Sequence, residues 1–206
     1  MRTAVFGGSF DPIHLGHLHL IHQLATLTDY QRLIIIPVAN PPHKQKETSI
    51  SDAHRLTMLD LALKEYVNLY PNHTPIEMII DSCEIDRGGV SYMFDTVTEL
   101  YNRYPIEGEL GMVLGDDLLD GLRRWYRFDE LRHKVEFIVI RRKLVPPPQH
   151  FPPGARGRFL DNPIMEDSST AVRQLMQSHK ATMKTLSPLV PYSVANYLLE
   201  HALYQL

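Results

Sequence analysis

At 206 residues, 44% hydrophobic and 22% charged, the chain suits one α/β domain large enough to bury a proper core. Its net charge of −3 argues against a general nucleic-acid binder, and its single cysteine excludes an internal disulfide framework and fits a reducing cytosol. No apolar run approaches the ~18–20 residues that span a bilayer, and no basic segment with an apolar signal core precedes the first strand. The expectation is a cytoplasmic enzyme with neither a membrane nor a nucleic-acid partner.

Thr3-Ala4-Val5-Phe6 reads as a buried strand, and Leu18, Leu20, Ile21, Leu24, Ala25 and Leu27 then recur at helical spacing. Between them lies Gly7-Gly8-Ser9-Phe10-Asp11-Pro12-Ile13-His14-Leu15-Gly16-His17. The paired glycines let a ligand approach the main chain, and Asp11-Pro12 is a turn signal ahead of the helix. His14 and His17, three apart, are expected on one face of the first helical turns. A helix start offers N–H groups and the positive end of a dipole, so two imidazoles beside it point to a nucleotide phosphate site. Two histidines at this spacing also suit zinc, but zinc takes three or four protein ligands and no further ones stand out.

Arg32–Pro37 has the continuous β-branched character of a central parallel strand. It ends in a proline-stiffened loop that carries His43 and Lys44. Ser51 or Asp52 caps the next helix, with Leu56, Leu59, Leu63 and Val67 as its apolar stripe. Arg55 on that helix faces either solvent or the site. Ile76–Ile80 is a third strand, and the segment Cys83–Tyr92 leads into a helix through Val97 and Leu100. Leu110–Leu114 is a fourth strand, with Gly115, Asp116 and Asp117 at its carboxyl end, where open α/β sheets collect ligands. Trp125 suits either stacking on a ligand ring or core packing. Val135–Ile140 is a fifth strand running into Arg141-Arg142. Residues 143–165 read as an irregular, Pro-rich connection within the same domain. Beyond it, Ser168, Ser169 and Thr170 open a helix, suited both to capping and to phosphate oxygens, with Arg173 one turn on. A final packing helix is expected across 186–199. This alternation predicts a single-domain α/β fold, a doubly wound parallel sheet over residues 1–206. The G-x-G-x-x-G fingerprint and the Walker-type loop are both absent.

The first motif resembles the signature of the nucleotidyltransferase superfamily, whose H-x-G-H stands here as His14-Leu15-Gly16-His17. Its longer G-G-S-F-D-P-x-H-x-G-H form is most similar to that of the bacterial nicotinate-nucleotide adenylyltransferases. Other blocks are similar too. Pro41-Pro42-His43-Lys44 matches P-P-H-[KR], and Arg87 with Ser91-Tyr92 matches R-x-x-x-S-Y-T, with Met93 for the threonine. Gly115 and Asp117 match G-x-D, and Ser168 to Arg173 matches I-S-S-T-x-x-R, with Asp167 for the isoleucine. The resemblance runs from residue 3 onward and is weakest across 143–165.

The resemblance implies a Rossmann-like fold and transfer of AMP from ATP to nicotinate mononucleotide, giving deamido-NAD and pyrophosphate. It implies catalytic roles for His14, His17 and Arg173. ATP would be bound by Gly7, Gly8, Ser9, Phe10, His43, Ser169 and Thr170, and the acceptor by Lys44, Ser91, Tyr92, Asp117, Trp125 and Arg141. Mg²⁺ would be held mainly by phosphates and water, with no dedicated protein ligands. The oligomeric state, monomer or homodimer, stays open. Related transferases that use phosphopantetheine or glycerol phosphate are disfavoured by the Ser91-Tyr92 and Gly115-x-Asp117 blocks. A non-catalytic nucleotide sensor would have lost the histidines or the arginine. A tRNA synthetase fragment would carry a lysine-rich second signature, which is missing.

Overall fold

Strands that are apolar on both faces must be covered on both faces, and the sheet is built accordingly. The computed structural model describes residues 1–42, 50–72, 74–141, 150–164 and 168–205. Six strands form one parallel sheet: β1 Thr3–Gly8, β2 Arg32–Pro37, β3 Glu77–Ile80, β4 Leu110–Gly115, β5 Val135–Ile140 and β6 Arg156–Phe159. Their order is β3-β2-β1-β4-β5-β6. Ala4, Phe6, Leu33 and Ile35 face one layer, while Val5, Ile34 and Ile36 face the other, as the strand period of two requires. Helices α1 Leu15–Leu27, α2 Asp52–Leu69, α6 Ser169–Gln177, α7 Met183–Leu186 and α8 Tyr192–Glu200 cover the first face. Helices α3 Cys83–Arg87, α4 Met93–Arg103 and α5 Phe128–Leu131 cover the second. The expected doubly wound, Rossmann-like sheet is what forms.

Several elements differ in detail. The buried stripe of α2 is Arg55, Met58, Leu59, Ala62 and Tyr66, while Val67 is exposed. The helix is therefore rotated from the leucine stripe read in the sequence, because an arginine is drawn inward. The segment Cys83–Tyr92, expected only to lead into a helix, holds the short α3 of its own, and Gly88 and Gly89 adopt φ +66° and +69° between it and α4, conformations that glycine takes without steric cost. The stretch 143–165 is not irregular throughout, since Arg156–Phe159 pairs with β5 as a sixth strand. It is short and rich in arginine, as suits an edge, and so gives no apolar signal. The final helix is split, because Pro191 takes the N-cap of α8 and follows the short α7. Among the described residues no helix is long and apolar enough to cross a membrane. Cys83 is buried, and burial, then the nearby Asp81 carboxylate, push its thiol up to about 12. It is a core residue and stays protonated.

Candidate active site

Strands β1 and β4 are adjacent, yet the chain winds outward from them in opposite directions, through β2 and β3 and through β5 and β6. The loops that leave β1 and β4 thus diverge and open a crevice at the carboxyl edge, the place where doubly wound sheets bind ligands.

The loop leaving β1 is held from several sides. Phe10 adopts φ +44° and is buried, its ring packing edge-on to Phe6 at 5.5 Å and to His17 at 4.9 Å. A Cβ on Gly8 would lie 2.8 Å from Phe10 Cζ, so only glycine admits this ring position. Gly8→Ala is therefore expected to lower stability by about 1–3 kcal/mol, as overpacking does. The displaced loop should also lower turnover at temperatures where the variant is folded. Denaturant unfolding alongside kcat checks both effects, and an unchanged protein would remove Gly8 from the account.

His14 is not inside the helix, as its spacing from His17 suggested, but is the extended N-cap of α1. Its backbone N–H donates to His17 Nδ1 at 3.2 Å, and the rings lie 3.7 Å apart. Since Nδ1 accepts, the neutral His17 ring carries its proton on Nε2. The histidine is thereby set as a donor at the start of a helix whose dipole already favours an anion.

The second motif meets the first across the fold. Ser169 Oγ donates to the Pro12 carbonyl at 2.9 Å, over 157 residues of sequence, and Arg173 donates to the Asp11 carbonyl at 2.6 Å. Arg173 also donates to Thr170 Oγ1 at 3.1 Å. Ser168 caps α6 by accepting from the Ala171 N–H. Gly7, Gly8, Ser9, Phe10, His14, His17, Ser169, Thr170 and Arg173 are thus gathered at one place, where the N-terminal ends of α1 and α6 adjoin.

The residues expected on the acceptor side are more dispersed. The Ser91 hydroxyl is buried and accepts from the Asn40 N–H at 3.0 Å, while the Ser91 N–H donates to the Asn40 carbonyl at 2.9 Å. Ser91 therefore fastens the loop after β2 to the start of α4. Tyr92 is the N-cap of α4, and its ring lies 4.5 Å from that of Tyr126. Met93 sends its terminal methyl to within 3.3 Å of a Cβ placed on Gly7, so the start of α4 borders the β1 loop. Asp117 is exposed at the first turn of a 3₁₀ helix, Asp116–Arg124, which directly follows β4. Its neighbour Asp116 is buried. Trp125, at the end of that helix, is partly buried and packs against the second core layer. Arg141 stands at the end of β5, where its backbone N–H donates to Asn162 Oδ1 at 2.8 Å. His43 and Lys44 lie outside the described residues, as do Arg142 and Asp167.

Sequence reasoning left Arg55 open and overlooked Asn162 and Tyr204. The Arg55 side chain is fully buried, donating to the Ser9 carbonyl and to Asp52 Oδ1, each at 2.6 Å. Its position in phase with Met58, Leu59, Ala62 and Tyr66 was the available signal. Asn162 returns a bond from its amide to the Arg141 carbonyl at 3.0 Å and so fixes the exit of β5. Tyr204 donates to Asp11 Oδ1 at 2.7 Å. Among the described residues no group of three or more His, Cys, Asp or Glu side chains is placed to hold a metal ion.

Comparison with known proteins places the chain in a family. The model of the cytidylyltransferase-like family matches residues 5–175. The nicotinate-nucleotide adenylyltransferase of Bacillus subtilis is 34% identical over 204 residues, covering 99% of this chain and 98% of its own. Among solved structures, Plasmodium falciparum nicotinic acid mononucleotide adenylyltransferase complexed with NaAD superposes with a TM-score of 0.75 at 17% identity, over 98% of this chain and 97% of that one. The same enzyme complexed with APC gives 0.70 at 18% identity, over 98% and 96%. At those identities the structural matches speak for the fold. With a family model matched across most of its length and a relative aligned end to end, the chain belongs to the cytidylyltransferase-like family.

Proposed function

We infer that this chain is a nicotinate-nucleotide adenylyltransferase, transferring AMP from ATP to nicotinate mononucleotide to give deamido-NAD and pyrophosphate. The observation that carries the reading is the meeting of the two motifs at the sheet's crossover, through Ser169 to Pro12 and Arg173 to Asp11. End-to-end likeness to an enzyme of that name supports the choice of acceptor.

The nucleophile is the acceptor's 5′-phosphate oxygen, already ionised near neutral pH. It forms a bond to the α-phosphorus while the bond from that phosphorus to the α,β-bridging oxygen breaks, and pyrophosphate leaves. No general base is required, so catalysis consists of alignment and charge stabilisation. In this reading the β1 loop, from Gly7 to Phe10, lies along the α-phosphate. His17 Nε2–H donates to its non-bridging oxygen, and His14 supports the phosphate chain. Ser169, Thr170 and Arg173 receive the β- and γ-phosphates at the start of α6, where hydroxyls, a guanidinium and helix N–H groups combine. Tyr92, Asp117, Trp125 and Arg141 serve the acceptor, and Ser91 shapes its pocket by holding the loop after β2. His43 and Lys44 are assigned to the phosphates and the acceptor by the motif alone.

Imidazoles, hydroxyls and a guanidinium suit phosphates and are poor ligands for a hard cation, while the Asp11 carboxylate already accepts from Tyr204. A magnesium ion carried in with ATP would thus be held by phosphate oxygens and water. When bound, it neutralises charge on the leaving pyrophosphate.

Arg173→Ala is expected to weaken ATP binding by about 10–10²-fold, the scale of a lost hydrogen bond to a charged group, while acceptor affinity stays within about threefold. Calorimetric titration with each substrate separately checks this. Selective loss of acceptor binding would move Arg173 to the other pocket. The reaction itself is tested by pyrophosphate release from ATP-Mg²⁺ with nicotinate mononucleotide, phosphopantetheine and glycerol phosphate in parallel. Release should accompany the nucleotide acceptor alone. Turnover of either other acceptor in its place would overturn the assignment.

A further inference from the structure

We propose that Tyr204 is a positioning residue for adenylyl transfer, fixing the nucleotide loop through Asp11 while Ser169 and Arg173 engage phosphate. The proposal rests on the function inferred above.

The contacts that fix the loop fall into two kinds. Ser169 and Arg173 bond to the carbonyls of Pro12 and Asp11, but both are also the groups assigned to the leaving phosphates. A triphosphate therefore competes with the loop for the Ser169 proton, whereas the Arg173 guanidinium has N–H donors for both. Ser169 has a single hydroxyl proton, and it cannot be given fully to a carbonyl and to a phosphate oxygen at once. The loop needs anchors with no such second demand, and Tyr204 is built as one.

Its hydroxyl donates to Asp11 Oδ1 at 2.7 Å across 193 residues of sequence, and both side chains are almost fully buried, at 5% and 4% exposure. Burial, then the bond to the Asp11 carboxylate, push the Tyr204 hydroxyl far above its ordinary range, so it remains a donor at every working pH. The chain bends sharply to deliver it. Ala202 and Tyr204 adopt φ +46° and +63°, left-handed conformations that cost non-glycine residues energy. The turn folds back on α8 through Leu203 N–H to the Leu198 carbonyl at 3.1 Å. Two unfavourable backbone conformations are thus retained next to one buried hydrogen bond to the loop. Asp11, so held, stands next to Pro12 and three residues before the His14 N-cap, so its place determines where the imidazoles begin.

Tyr204→Phe removes only the hydroxyl. If the residue positions the loop for reaction, kcat falls about 5–20-fold while the KM values for ATP and for nicotinate mononucleotide change less than twofold, because the contact matters most when Ser169 turns to phosphate. A packing role alone would lower the unfolding midpoint and leave kcat unchanged at temperatures where the protein is fully folded. A cycle with Asp11→Ala adds a second reading: the two substitutions should be non-additive in kcat, since both break one bond. A Tyr204→Phe enzyme with kcat within twofold of wild type overturns the proposal, whatever its stability, and so does full additivity. Absence of wild-type turnover with nicotinate mononucleotide would instead refute the inferred reaction, so the two failures are distinguishable.

Discussion

His17→Ala should lower kcat by about 10²–10³ while leaving the fold in place, the scale on which enzymes lose rate when one donor to a developing oxyanion is removed. The structure sharpens why this ring and not another. His17 Nδ1 is occupied by the His14 N–H at 3.2 Å, which places the remaining proton on Nε2. Phe6 and Phe10 hold the ring at 6.2 Å and 4.9 Å, so the donor's direction is fixed before substrate arrives. Alanine also leaves the His14 N–H without its imidazole acceptor, at a cost of about 1–2 kcal/mol in stability. That effect is separable, because kcat measured well below the unfolding midpoint does not register it. A variant keeping more than half the wild-type turnover would remove His17 from the chemistry.

The second large effect concerns the acceptor. Nicotinate mononucleotide should be preferred over nicotinamide mononucleotide by at least ~10² in kcat/KM. Gly88, Gly89 and Val90, just before Ser91-Tyr92, are exposed and serve to turn the chain from α3 into α4. The donors suited to a pyridine carboxylate belong to the next residues. Tyr92 caps α4 with no side-chain hydrogen bond and its carbonyl takes the Asp95 N–H at 3.1 Å, so the N–H groups of Met93 and Phe94 and the helix dipole are left to favour an anion. Ser91 ties this helix start to Asn40, and Met93 packs beside Gly7, which brings it to the crevice. A carboxylate accepts at both oxygens, whereas an amide sets an NH₂ against one of the donors. The mismatch leaves a buried donor unpaired, at about 1–3 kcal/mol, and forfeits a charge-assisted bond. Sites built this way reach ~10⁴. The lower figure reflects Met93, whose thioether supplies none of the hydroxyl donation that a threonine offers at this position. Steady-state kinetics with both mononucleotides at saturating ATP-Mg²⁺ decides the point. Equal efficiencies would mean that α4 does not read the carboxylate.

What the sequence disclosed follows from how each signal is encoded. The five apolar strands and the β1 loop are local: their residues are contiguous, and their periodicity or turn chemistry can be read directly. The Ser168 cap of α6 is local as well. Strand β6 is not legible, because an edge strand of Arg-Gly-Arg-Phe lacks an apolar run. Arg55 is ambiguous in the sequence because a buried arginine is rare. Only the tertiary partner, the Ser9 carbonyl, accounts for it. Tyr204 and Asn162 are long-range anchors whose importance lies in a contact, with no signature in the neighbouring sequence. The sequence pattern of Ser169 and Arg173 suits phosphate, and the structure adds that each also holds the β1 loop.

The central claim is direct transfer of the adenylyl group to the acceptor's phosphate by a site that aligns and stabilises, with no enzyme group attacking phosphorus. The most direct measurement is the stereochemical course at the α-phosphorus, using ATP made chiral there by sulfur substitution, with nicotinate mononucleotide as acceptor and the dinucleotide product analysed. One in-line displacement predicts inversion. Retention would mean two displacements through a covalent adenylyl-enzyme, would recast His14 or His17 as the nucleophile, and would contradict the account.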